Sequence, residues 1–194
     1  MFERLHLGLS QSVLPWSGEG AQAAVLVAIT DELKPRVILG RRAMHLRLHP
    51  GEIAFPGGKR EREDLTPWDT ALREAEEEVG IPSHLVTRLG SLDPMVTRTG
   101  FEVYPCIARI PADPELIVDP GEFDSVFLPA VERFADPALY RLESMSDGER
   151  MRQVPHYQLE QDNIWGVTAA VLALVVNIGL NAGLELKRDW KKTP

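Results

Sequence analysis

One stretch limits what this chain can fold into more than any other. Phe55 to Ile81, FPGGKREREDLTPWDTALREAEEEVGI, runs from a glycine pair through a charged loop into a helix with both ends marked. Thr66 suits the N-cap, Pro67 the first helical position, and Asp69 the acid of a capping box. Gly80 suits a left-handed C-cap. At roughly 100° per residue, Trp68, Leu72, Ala75 and Val79 form a narrow apolar stripe. Glu74, Glu77 and Glu78 are expected on the opposite side, with Glu74 and Glu78 one turn apart. Acids in a last turn oppose the helix macrodipole, and like charges four apart repel. Each penalty is only a few tenths of a kcal/mol, so a solvated acidic face is the plain reading. A cation site is the chemical one.

What precedes the helix favours the cation. Gly57–Gly58 permits a tight turn and leaves backbone groups unshielded. A glycine loop beside carboxylates offers the oxygen donors that a hard cation such as Mg²⁺ needs. Bound there, a cation can bridge to phosphate oxygens and activate water. The charge distribution agrees. Lys34, Arg36, Arg41, Arg42, Arg47, Lys59, Arg60 and Arg62 face only Glu52 and Glu61 within residues 34–62, whereas Arg73 is the one base among seven acids from Glu63 to Glu78. An internal salt-bridge partnership would explain this equally well. An anionic substrate meeting a divalent cation is the functional alternative, and metal-assisted hydrolysis of a phosphoanhydride is the leading reaction.

The rest of the chain sets the frame. Its 194 residues, 44% hydrophobic and 26% charged, describe a soluble globular protein of one domain, residues 1–194. A net charge of −8 argues against nucleic acid and anionic membranes as partners. Cys106 is the single cysteine, which excludes an intrachain disulfide framework and reads as a buried strand residue in a reducing compartment. No basic segment followed by an apolar run opens the chain, and a cytoplasmic location is expected. Residues 1–20 read as a peripheral element. Ala23–Ile29, Val37–Leu39, Glu52–Phe55, Leu85–Leu92, Phe101–Ile110 and Val126–Leu128 read as extended, and Pro129–Phe134 as a short helical turn. Residues 141–159 read as polar and turn-rich, with short strands near Met151–Val154 and Tyr157–Leu159. Residues 164–184 read as an apolar helix, buried in the core or at a subunit interface rather than in a membrane because it holds Asn177 and Asn181. A homodimer is one way to bury it. Mixed strands and helices point to an α/β or α+β sandwich.

Gly58 to Ile81 resembles the Nudix box, G-x5-E-x7-R-E-U-x-E-E-x-G-U, where U is bulky and apolar. Arg73-Glu74-Ala75-Glu76-Glu77-Glu78-Val79-Gly80-Ile81 matches its second half, with small Ala75 at a U position. The first half departs. Asp64 stands where glutamate is usual, and its spacing to Arg73 is one residue long; counting back from Arg73 lands on Leu65 instead. Upstream, Ile38-Leu39-Gly40-Arg41-Arg42-Ala43, Arg47, Gly51 and Phe55-Pro56-Gly57-Gly58 resemble the additional signature of the coenzyme A pyrophosphatase branch, LLT-x-(T/R)-(S/A)-x3-R-x3-G-x3-FPGG. Gly40 departs, since threonine is usual there, whereas the longer box is common in that branch.

The resemblance implies an α/β/α sandwich around a mixed sheet, with residues 58–81 as loop, helix and loop. It implies Mg²⁺ or Mn²⁺ as cofactor, held by Glu74, Glu78 and the Gly58 backbone, with Glu77 holding a further ion or its water. Arg73 would orient a glutamate, and Glu122 would serve as base or additional ligand. Arg47, with Arg41 or Arg42, and Lys59 would hold substrate phosphates. His45 and His49 read as polar surface, and Phe55 as core. The implied reaction is hydrolysis of coenzyme A or its derivatives to 3′,5′-ADP and 4′-phosphopantetheine. NADH or ADP-ribose as substrate, or a non-catalytic binding module, are the alternatives.

Overall fold

The computed structural model describes residues 1–18, 20–97, 99–146 and 151–186. In chain order the elements are helix α1 (Phe2–Gly8), strands β1 (Gln22–Thr30), β2 (Leu39–Arg42), β3 (Ile53–Ala54) and β4 (Gly57–Lys59), helix α2 (Pro67–Val79), strands β5 (Thr87–Ser91), β6 (Met95–Val96), β7 (Glu102–Ile110), β8 (Phe123–Phe127), β9 (Tyr140–Ser146), β10 (Met151–Leu159) and β11 (Asp162–Trp165), and helix α3 (Gly166–Leu180). Short 3-10 turns occupy Ser83–Leu85 and Val131–Ala135.

The frame is a mixed sheet in the order β4-β1-β7-β5, with β6 also on β7. Strands β1 and β7 run parallel from Gln22↔Glu102 to Thr30↔Ile110, and β4 and β5 pair antiparallel on either side. Alternation sends Ala24, Leu26 and Ala28 to one face, in the core around α2. Val27 and Ile29 go to the other, in the core that holds α3. A strand buried on both faces reads as an unbroken apolar run, which is how β1 reads in sequence. Two smaller antiparallel sheets, β3-β2-β8 and β11-β10-β9, complete the fold. The expected α/β/α sandwich is what forms.

Several local expectations are corrected. Segment 1–20 is not wholly peripheral, because Leu5 is fully buried and α1 packs on α3. A Cβ on Gly8 would stand 2.5 Å from Ile178 Cγ2, so the bare glycine permits that approach. Residues 140–146 and 151–159 form the long strands β9 and β10, which pair antiparallel. The apolar helix starts at Gly166, after β11, and stops where Asn181 turns left-handed with φ 57°. Asn177 is polar for a reason: its amide donates to Leu184 O at 2.9 Å and accepts from Leu184 N at 2.8 Å, folding the chain back after the helix. Among the described residues no helix is long and apolar enough to cross a membrane.

Gly40 is explained by its neighbour. A Cβ there would lie 2.3 Å from the ring of Phe123, which is 1% exposed and fills the space above β2. Gly40→Thr is expected to destabilise the protein by about 1–3 kcal/mol through overpacking. Thermal melting checks this, and a melting temperature equal to the wild type would contradict it.

Candidate active site

The site is built on α2, whose ends are tied as the sequence predicts. Asp69 N donates to Thr66 Oγ1 while Asp69 Oδ2 accepts from Thr66 N at 2.7 Å, and Gly80 closes the helix with φ 71°. The faces differ from expectation. Pro67, Ala71, Glu74 and Glu78 fall on one flank beside the apolar stripe, and α2 packs against both β1 and β4. The buried arc is therefore wider than the stripe and takes in acids. Glu78 is 4% exposed. The Glu74 side chain is 16% exposed, and only Glu77, at 59%, lies on an open face.

Strand β4 is what meets that flank. Gly57 N donates to Glu78 Oε2 at 2.8 Å. A Cβ on Gly58 would lie 2.3 Å from Glu74 Oε1, so only glycine lets the backbone sit against the carboxylate. The arginine stands next to Glu74 and also reaches β4. Arg73 reaches Asp64 Oδ2 at 3.0 Å, Glu74 Oε1 at 3.0 Å, Glu77 Oε2 at 3.1 Å and the Lys59 carbonyl at 3.2 Å. Asp64, the acid with the irregular spacing, is 5% exposed and also accepts from Thr70 Oγ1 at 2.7 Å and Glu61 N at 2.9 Å. A turn closed by Asp64 N on Glu61 O absorbs the extra residue. Leu65, at the regular spacing, is 79% exposed. Asp64 is thus the acid that anchors Arg73.

Glu122 arrives from the turn before β8. Asp119 N donates to Glu78 O, Glu122 N to Asp119 O, and Ala43 N to Glu122 O, which pins that turn to the end of α2 and to β2. Asp119 gave no sequence signal, because its contribution is a backbone dock. Arg42 Nη2 lies 3.7 Å from Glu122 Oε2, and its Nε is buried without a hydrogen-bond partner. Arg41 departs from this group: it pairs with Asp162 of β11 at 2.7 Å. Strand alternation separates the two arginines. Arg47 and Lys59 are exposed, the latter with Nζ 5.5 Å above the Phe101 ring. His45 and His49 are exposed, His49 beside Glu52 at 3.0 Å, and Phe55 is core.

Electrostatics mark the flank. Burial pushes the Glu78 carboxyl up to about 8; the Gly57 amide and Arg42 oppose this, while Glu74 and Glu122 add to it. Burial also raises Glu74, with Glu77 and Glu122 adding and Arg73 opposing. Burial would raise Asp64 too, but hydrogen bonds from Arg73, the Glu61 amide and Thr70 outweigh it and hold its carboxyl below the usual range. Buried acids that lack compensation are what a cation relieves. Among the described residues no three acidic, histidine or cysteine side chains enclose an ion by themselves. Mg²⁺ keeps several waters and needs only one or two carboxylates, so Glu74 and Glu78 beside the Gly57–Gly58 backbone fit it.

The chain matches the NUDIX domain over residues 20–145. It is 38% identical over 167 residues to the "Uncharacterized Nudix hydrolase NudL" of Yersinia enterocolitica, which covers 84% of this chain and 85% of that protein. A protein of the same description from Yersinia pestis is 37% identical over 158 residues, or 81% and 79% of the two chains. Among solved structures, a Caenorhabditis elegans Ap4A hydrolase in a binary complex resembles it with a TM-score of 0.49 at 18% identity, over 59% of this chain and 82% of that one. The chain belongs to the Nudix hydrolase family, whose members act on pyrophosphate-containing compounds and generally use divalent ions such as Mg²⁺ or Mn²⁺.

Two outcomes follow from the geometry. Between about pH 4.5 and pH 8 the folded protein keeps a proton on Glu78 that the unfolded chain has released, so metal-free protein loses stability as pH rises through this window. The change is on the order of a few kcal/mol, and Glu78→Gln flattens it. Melting in chelator across pH 5 to 9, values chosen to bracket roughly that window, reads both; equal slopes in the two proteins would contradict the burial argument. Asp64→Ala leaves Arg73 without its main partner and is expected to cost about 3 kcal/mol. Denaturant unfolding measures it, and an unchanged midpoint would remove Asp64 from the anchoring role.

Proposed function

We propose that this Nudix hydrolase cleaves the pyrophosphate linkage of coenzyme A or its derivatives with Mg²⁺ or Mn²⁺, releasing 3′,5′-ADP and 4′-phosphopantetheine. One observation carries the reading. The segment that resembles the coenzyme A signature folds directly onto the glutamate helix, with Arg42 beside Glu122 at one end and Gly57 on Glu78 at the other. Gly40, the departure from that signature, has a packing cause in Phe123 and does not weigh against the substrate.

Glu74, Glu78 and the Gly58 backbone would hold the cation, and Glu77 a further ion or its water. The ion supplies charge neutralisation of the phosphates and acidifies water. Arg73, tied to Asp64, would fix the Glu74 carboxylate by a charge-assisted contact. Glu122 takes the proton of the attacking water as its oxygen bonds to phosphorus and the bridging P–O bond breaks toward the departing phosphate. Arg42, beside Glu122, would attract the substrate's phosphates together with the exposed Arg47 and Lys59. Of the two adjacent arginines, the Asp162 pair makes Arg41 the weaker phosphate candidate.

The test offers coenzyme A, NADH, ADP-ribose and nucleoside triphosphates separately to the protein with Mg²⁺ or Mn²⁺. Coenzyme A is expected to be turned over best. Faster hydrolysis of NADH or ADP-ribose would replace the substrate, and no turnover of any compound would favour a binding module. Glu78→Gln, near-isosteric but uncharged, is expected to lower kcat at least about a hundredfold without unfolding the protein.

A further inference from the structure

Directly opposed residues of antiparallel strands share a face, and neighbours along a strand alternate. In β2 and β3, Arg41 pairs with Ile53 and so faces the α3 core, while Gly40 and Ala54 face the other way. In β10 and β11, Leu159↔Asp162 and Tyr157↔Ile164 face that same α3 core, so His156↔Trp165 and Gln158↔Asn163 face away from it. Strand β11 packs against β3, and the Arg41–Asp162 pair joins the two small sheets on their α3 side. The opposite surfaces are therefore continuous. By this alternation Trp165, and the buried His156 behind it, lie on the same side as Arg42 and Glu122.

That surface carries a rigid aromatic feature which the proposed chemistry leaves unused. The His156 and Trp165 rings stack with centroids 6.1 Å apart and 18° between planes. Trp165 is half-buried and His156 is 4% exposed. His156 Nδ1 lies 3.2 Å from Asn163 Oδ1, which also accepts from Arg141 Nη2 at 3.2 Å. His156 Nε2 has no hydrogen-bond partner and lies 3.6 Å from Glu143 Oε2. A leucine would fill this position without an unsatisfied buried nitrogen, which costs about 1–3 kcal/mol. A stacked imidazole does something a leucine does not: it presents the indole as a flat plate of fixed orientation.

We infer that Trp165, backed by His156, is a stacking platform for the nucleobase of the substrate whose phosphates lie at the α2 glutamates. Trp165 is a specificity residue, and His156 positions it. The inference rests on the reading of the site as a nucleoside diphosphate hydrolase, yet it does not depend on coenzyme A, because NADH and ADP-ribose carry adenine as well.

Adenosine 5′-monophosphate is the probe, with ribose 5-phosphate as the baseless control and the metal-loaded protein as the sample. AMP is expected to quench tryptophan fluorescence in the wild type, and ribose 5-phosphate is not. Trp165→Ala is expected to abolish the quench, weaken AMP binding in calorimetry about tenfold, and raise KM for the best-hydrolysed substrate by a similar factor, with kcat changed less than about twofold. Trp165→Phe, which keeps a flat ring, is expected to restore most of the affinity, and His156→Leu to raise KM by a smaller factor. Unchanged AMP affinity or KM in Trp165→Ala overturns the platform, as does a lowered melting temperature with KM unmoved. A wild type that hydrolyses its substrate but fails to bind AMP overturns it as well. If another adenine compound proves to be the substrate, the coenzyme A reading falls while the AMP comparison still decides the platform.

Discussion

The contact between the glycine strand β4 and the acidic flank of α2 is what the site depends on. Gly57 gives its amide to Glu78, and Gly58 lies where any side chain would strike Glu74. Both carboxylates are thereby taken out of water and held beside bare backbone. Burying acids next to one another is unfavourable on its own, and the raised Glu78 carboxyl expresses that cost. The fold bears it because the rest of α2 is over-determined, with a capping box at one end, a left-handed glycine at the other and an apolar stripe locked under β1. A surface helix would not hold two glutamates in this state.

Arg73 and Arg42 divide the charge around that contact. Arg73, fixed by Asp64, reaches both the Glu74 carboxylate and the Lys59 carbonyl of β4. Arg42 stands beside Glu122. The two arginines thus meet the acids at different points, Arg73 at Glu74 and Arg42 at Glu122, and neither pairs with Glu78, whose carboxylate accepts from the Gly57 amide. The small sheets extend the same surface outward, away from α3, toward Trp165.

Much of this was legible in the residues, and the remainder was hidden for identifiable reasons. Caps are local, so Thr66, Pro67, Asp69 and Gly80 announce the helix without reference to anything else. Strands β1 and β7 are legible because burial on both faces leaves an uninterrupted apolar run. The burial of Glu78 is not legible in helical periodicity, because it comes from a strand about twenty residues earlier. Asp64 looked like a departure because spacing counts residues, whereas the turn from Glu61 sets where the carboxylate lands. Of the β9–β10 pair only pieces of β10 are legible, as short strands near Met151–Val154 and Tyr157–Leu159, because the face that carries Glu143, Val154 and His156 lacks clean alternation. Arg41 and Arg42 were treated as equivalents, although their adjacency in a strand already required them to diverge.

Crystals soaked in Mn²⁺ and measured by anomalous scattering test the central claim most directly. The account predicts a peak between the Glu74 and Glu78 carboxylates against the Gly57–Gly58 backbone, lost in crystals of Glu78→Gln. A peak elsewhere in the protein, or none at this position in crystals whose dissolved protein still hydrolyses substrate with Mn²⁺, would contradict it.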